Sequence, residues 1–406
     1  MKHNFLSLFL FVIGLICSAM AVSAQEMQER SVPMKRLFLY GQLRGASNKM
    51  AEIMGNSTPG TSIPLWTYSI TASKDGNNYT GKMVGRSPFF HGHRTTSVKA
   101  FLIPVKFTFP DSEVFDPTTN DGCTPTGNTI LSLVQGSPIF REAPFDYAMN
   151  GVNVGNSQYI DAFERANFWS KVSATPYHTV LSNPPTVTSV QSVTVPAQFA
   201  ALGSASCNTA HNLGAIDINW WDPSLVESGL GEGEAGQILA NVASQGVGPN
   251  DLPIFIFNSV VMYLGSTSNC CVVGYHNAFF TGGGTGPLQT YLITDWDTTG
   301  DFGGDISTMS HEVGEWMDDP LGTNPTPAWG GVGQVSGCQN NLEVGDPLSA
   351  FPTLPFSVTL SGFTYTLQEL AYFSWFYGRP SMGSGGRFSD NGTFTITAAA
   401  CPPGGP

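Results

Sequence analysis

The stretch from Asp305 to Pro320 contains His311-Glu312-Val313-Gly314-Glu315, a variant of the HExxH zinc signature whose second histidine is replaced by glutamate. Four residues along a helix turn the chain through roughly 400°, so His311 and Glu315 project from one face and can hold a single cation, with Glu312 beside it. A metal-bound water and its base need that arrangement. The chemistry it predicts is metal-assisted hydrolysis: the ion polarises a carbonyl, Glu312 takes a proton from the bound water, and the hydroxide attacks a peptide bond. Carboxylate in place of imidazole at Glu315 makes the ion a weaker Lewis acid and shifts preference toward harder cations. The motif therefore speaks more strongly for a metal than for catalysis.

A third ligand must come from elsewhere. Glu343 and Asp346, in a loop some thirty residues downstream, lead. Asp319 can reach if the helix ends there. His276, in an apolar setting, reads first as a core histidine and second as a ligand. Zinc is the expected ion, with calcium as the alternative. Asp295, Asp297 and Asp301 with Gly300 also resemble the opening of a calcium loop, although Ile306 stands where a bidentate Glu is expected.

Composition sharpens the metal expectation. Between Lys171 and Arg379 there is no lysine or arginine, while the same 207 residues carry seventeen Asp or Glu. Asp318 and Asp319 sit in the last helical turn, where the macrodipole disfavours each by roughly 0.3–1 kcal/mol. Bound divalent cations would offset both problems. The net charge of −13 makes nucleic acid an improbable partner.

The first 24 residues read as an export signal: Lys2, an apolar run from Phe5 to Cys17, and small residues before Gln25. That run is short for a membrane span, and no later segment approaches about eighteen uninterrupted apolar residues. The expected location is extracellular or periplasmic. Six cysteines remain after the leader: Cys123, Cys207, Cys270, Cys271, Cys338 and Cys401. An even number in an oxidising compartment points to disulfides, with the neighbours Cys270 and Cys271 bonded to different partners.

Residues 25–95 are polar and weakly periodic, which predicts a pro-segment, a linker or loosely attached strands, followed by one domain over 96–406. The spacing predicts strands from Ser97, over Thr186–Val195, Leu252–Met262, Gln289–Thr294 and Phe356–Thr359. It predicts helices at Thr129–Val134, Gln158–Trp169, Glu234–Ala243 and Leu367–Phe376. In the motif helix Asp305 is the expected N-cap, and Ile306, Met309, Val313 and Met317 form a narrow apolar face. The expected fold is α+β, β- and loop-rich and disulfide-braced, with a twisted mixed sheet over the metal-binding helix.

His311-Glu-Val-Gly-Glu-Trp-Met-Asp-Asp-Pro320, followed by Glu343-Val-Gly-Asp346, resembles a group of exported bacterial proteins that carry HELxExxTDP and then E-I-G-D, distantly similar to the plant exordium (phosphate-induced) proteins. The segment Cys271-Val-Val-Gly-Tyr-His276 fits as well, and the resemblance covers roughly residues 250–350. It implies a zincin-like fold and a site at His311, Glu312, Glu315, Glu343 and Asp346. Two functions follow: a secreted zincin-like metallopeptidase acting on peptide or protein, or a non-enzymatic exported or cell-surface protein with a structural metal. A carbohydrate-binding protein using surface aromatics is a third.

Overall fold

The apolar run after Ser97 forms one long strand, Thr95–Thr108, in a computed structural model that describes residues 63–90, 94–120, 122–125, 127–204, 212–222, 233–281, 286–299, 302, 304–349, 355–382, 386–396 and 401. The predicted export signal, residues 25–62, Cys207, Gly300 and Asp301 lie outside these. The strand is central to an eight-stranded mixed sheet. It runs parallel to Asp251–Asn258, which is parallel to Leu288–Trp296, which pairs antiparallel with Gly274–Phe280. Three short strands at His178–Leu181, Thr186–Val187 and Gln191–Thr194 also run parallel to it. The protein is mixed α+β and strand-rich, about 40% strand and 23% helix.

Period-two alternation divides the inner strands between two cores. Leu102, Ile254, Ile256 and Leu292 face the larger one, whereas Phe101, Ile103, Phe255, Phe257 and Ile293 face the other. Neither face meets water, which is why every residue of Asp251–Asn258 and Leu288–Trp296 is buried. The helix Gly233–Val242 covers the second face through Ile238, Leu239 and Val242.

The motif helix, Ser307–Asp318, lies on the first face with Met309, Val313, Trp316 and Met317 in the core. Trp316 Nε1 donates to Thr290 Oγ1 in the sheet at 3.1 Å. On its far side the helix meets the hairpin of Pro355–Leu360 and Phe363–Gln368, and the helix Tyr159–Asn167. All twelve of its residues are buried, so the expected narrow apolar face is only part of a helix enclosed on all sides. Asp305 does not cap it: Ile306 is the N-cap, and the Asp305 carboxylate accepts the backbone N–H of Ile306 and of Thr366 instead. The carboxylate therefore ties the hairpin to the helix entrance.

Residues 63–84 belong to the same core, although the sequence predicts a pro-segment, a linker or loosely attached strands there. Strands Leu65–Thr71 and Asn78–Val84 form a hairpin whose Trp66, Tyr68, Met83 and Val84 are buried in the larger core. Its attachment is also polar: Lys82 N–H donates to Asn324 Oδ1 at 2.8 Å, while Asn324 Nδ2 donates to the Lys82 carbonyl.

Other differences have local causes. Leu252–Met262 is two strands, because Ser259 adopts φ 50° and sends Val260–Leu264 into a separate four-stranded sheet. Thr186–Val195 is likewise broken into two. Leu367 and Gln368 end a strand, and only Phe373–Phe376 of the predicted helix is helical, since a run buried on every side carries no helical period. Cys270 and Cys271 are at bonding distance of each other across a cis peptide bond, contrary to the expected separate partners, and Cys338 pairs with Cys401. Among the described residues no helix is long and apolar enough to cross a membrane.

Candidate metal centre

One helical turn brings His311 Nε2 to 3.0 Å from Glu315 Oε1. The ring orientation is set from behind. Gln368 Nε2 donates to the Gly345 carbonyl at 2.7 Å, which turns Gln368 Oε1 toward His311 Nδ1 at 3.1 Å. Nδ1–H donates there, so the Nε2 lone pair faces Glu315 and Asp346 Oδ1, the latter at 3.7 Å. Gln368 and Ser349, whose Oγ is 3.3 Å from Nδ1, had no signal in the motif itself.

His276 enters from the neighbouring strand. Its Nε2 donates to the Asp319 carbonyl at 3.0 Å, and its Nδ1 lies 3.4 Å from Glu312 Oε2 and 3.7 Å from Glu315 Oε2. The sequence ranks it behind the downstream carboxylates, yet it is fully part of the centre. The close approach has its own signal two residues earlier, where a Cβ on Gly274 would meet Thr308 Cγ2 at 2.5 Å and Glu312 Cγ at 3.1 Å.

The downstream loop supplies the remaining carboxylates. Asp346 accepts from Gln334 Nε2 and, at 2.8 Å, from Gln339 Nε2, so the strand Val335–Asn341 and its turn aim it. Glu343 Oε1 accepts from Asn341 Nδ2, and its Oε2 stands 3.9 Å from His276 Nε2. Gly345 N–H donates to Glu315 Oε1 at 3.1 Å. Asp319 is in neither donor group: its carboxylate accepts the N–H groups of Thr323 and Asn324, closing the turn after the helix, and its backbone carbonyl accepts from His276 Nε2.

Two groups of donor atoms result, each with its members within 4.8 Å of one another: His311, Glu315 and Asp346, and His276, Glu312 and Glu315. Two ligands about 2.1 Å from one ion stand roughly 3.0–3.4 Å apart, close to the 3.0, 3.4 and 3.7 Å separations found here. Buried His, Glu and Asp groups that could hold a metal ion are thus present. The donor set also needs one. Glu312 Oε1, Glu315 Oε2 and Glu343 Oε2 are buried and meet no hydrogen-bond donor. Burying a charge without a partner is strongly unfavourable.

Protonation reports the same strain. Burial, then Asp346 and Glu312, hold the Glu315 carboxyl well above the usual carboxylate range, and burial with Glu315 does so for Glu343. Asp346 is pushed up to about 7 by burial, against the pull of His311. Burial would lower the His276 pKa, but Glu343, Glu312 and Asp319 outweigh it and bring it to about 9. A second acidic pair, Glu164 and Asp318, adjoins the centre. Burial raises both, with Asp318 reaching about 7, and Asn167 Nδ2 donates to Asp318 Oδ2.

The loop at Asp295–Asp301 is different. Asp297 spends its carboxylate on Thr299 N–H and Oγ1 and on Phe302 N–H, while Asp295 Oδ1 accepts from Val260 N–H. The Asp297 oxygens are thus engaged within their own turn, and Gly300 and Asp301, which the calcium motif also needs, lie outside the described residues.

Packing against His311 leaves no slack. A Cβ on Gly345 would land on the ring, 2.5 Å from Cε1. Gly345→Ala is expected to displace the imidazole and weaken metal binding at least tenfold, read by titration of the chelated protein with zinc, while Gly362→Ala, in an open turn at φ 83°, leaves it within twofold.

No known protein family, curated protein or solved structure matches the chain.

Proposed function

We propose that the protein is an exported metal protein whose centre at His311, Glu315, Asp346, His276, Glu312 and Glu343 braces the fold from inside. Burial carries this reading: His311, Glu312, Glu315 and Glu343 are 0% exposed, and Asp346 only 1%. A peptidase must admit a peptide to its metal, whereas a structural centre is closed. The centre joins the motif helix, the His276 strand and the Glu343–Asp346 loop, which are distant in sequence. A cation there ties the sheet to its covering layer. Zinc suits two imidazoles among carboxylates, and calcium, which prefers all-oxygen shells, suits them less. Paired cysteines agree with an oxidising compartment, as does the export-type N-terminus. The resemblance to exported zincin-like proteins supports the same ligands.

The metallopeptidase reading rests on a separate observation, the unpartnered Glu312 Oε1 beside the two histidines, where a base for a metal-bound water belongs. Glu312→Gln separates the two. In the structural reading the variant loses metal affinity and thermal stability, and the parent hydrolyses no peptide in a mixed pool. In the hydrolase reading the parent cleaves peptides, and the variant keeps its zinc but loses cleavage. Metal-dependent cleavage by the parent would overturn the structural reading.

A further inference from the structure

Resting on the metal reading above, we propose that the centre takes two divalent cations bridged by the Glu315 carboxylate, one on the His311 side with Asp346 and one on the His276 side with Glu312. Glu315 presents its two oxygens to different histidines: Oε1 is 3.0 Å from His311 Nε2, and Oε2 is 3.7 Å from His276 Nδ1. Glu312 spans the same gap, with Oε2 3.4 Å from His276 Nδ1 and Oε1 4.0 Å from His311 Nε2. Bridging carboxylates hold ions about 3.5–4 Å apart in two-metal sites. Glu315 also belongs to both donor groups.

Charge favours two ions over one. Glu312, Glu315, Glu343 and Asp346 are four buried carboxylates, and no lysine or arginine forms an ion pair with them among the described residues. One divalent ion balances half of them, and two balance all. Each histidine is also anchored through its far nitrogen, His311 by Gln368 and His276 by the Asp319 carbonyl, which leaves its other nitrogen to face its own donor group.

The test is Mn²⁺ binding to the full chain stripped of metal by chelation without unfolding, measured by equilibrium dialysis with elemental analysis and by electron paramagnetic resonance. Two Mn²⁺ per chain with an exchange-coupled spectrum are expected, and Asp346→Asn should retain one ion with an uncoupled six-line spectrum. One ion per wild-type chain would overturn the bridged pair while leaving the metal reading intact. No bound Mn²⁺ and no bound Zn²⁺, with no change in thermal midpoint on adding either, would overturn both. The wild-type count decides the matter even if the variant fails to fold.

Discussion

Glu315→Gln is expected to change sign with the metal: in the loaded protein it lowers stability by roughly 3 kcal/mol or more, and in chelator it is neutral or stabilising. The reason is the company the carboxylate keeps. Glu315 is enclosed with Glu312, Glu343 and Asp346, and its Oε2 has no donor, so without a cation its charge is a liability that a neutral amide of the same shape removes. With a cation bound, the same charge is the link between the two histidines. Thermal melts of parent and variant, with EDTA and with excess zinc, read both arms. A loss of similar size in both conditions would mean that Glu315 serves ordinary packing.

The second large effect is on pH. In chelator the protein should lose stability as pH rises from about 4 to about 7, at roughly 1.4 kcal/mol per pH unit for each carboxyl that is held protonated in the fold but ionised in the unfolded chain. Asp318 is such a group, raised by burial to about 7, and the Glu164 carboxyl opposite it is also held well above the usual range by burial and by Asp318. The sign follows from that direction: a raised folded pKa gives stability that is fully present below the unfolded value and is gone once pH has passed the folded one. Asp318→Asn should flatten the slope by about one proton's worth over that window, because the amide stays neutral throughout. An unchanged slope in chemical denaturation at pH 5, 6 and 7 would show that the pair does not share a buried proton.

The site was legible in the sequence to the extent that local spacing determines it. His311 and Glu315 meet because a helix repeats every 3.6 residues, and the turn-rich Glu343–Asp346 segment could fold back. Gln368 was not legible as a site residue and His276 ranked behind the downstream carboxylates, since the positions of both depend on strand pairing over tens of residues. Asp319 was misjudged because the same side chain that could bind a metal can also close a turn. In the fold, apolar runs and β-branched stretches found the buried inner strands but missed most of the shorter ones, and they carried no trace of the change of sheet at Ser259, which lies inside an apolar run. The segment Leu367–Phe376 failed for the same reason: where every side is buried, hydrophobicity loses the period that separates helix from strand. The hairpin at residues 65–84 was hidden by its polar, glycine-containing surroundings, although Trp66 and Tyr68 anchor it in the core.

Elemental analysis of the full chain, purified without chelator or added metal and separated from free ions by gel filtration, tests the central claim most directly. A divalent transition ion is expected to be retained in at least stoichiometric amount and lost together with thermal stability on prolonged chelation. A metal-free chain whose melting temperature does not respond to zinc, manganese or calcium would contradict it.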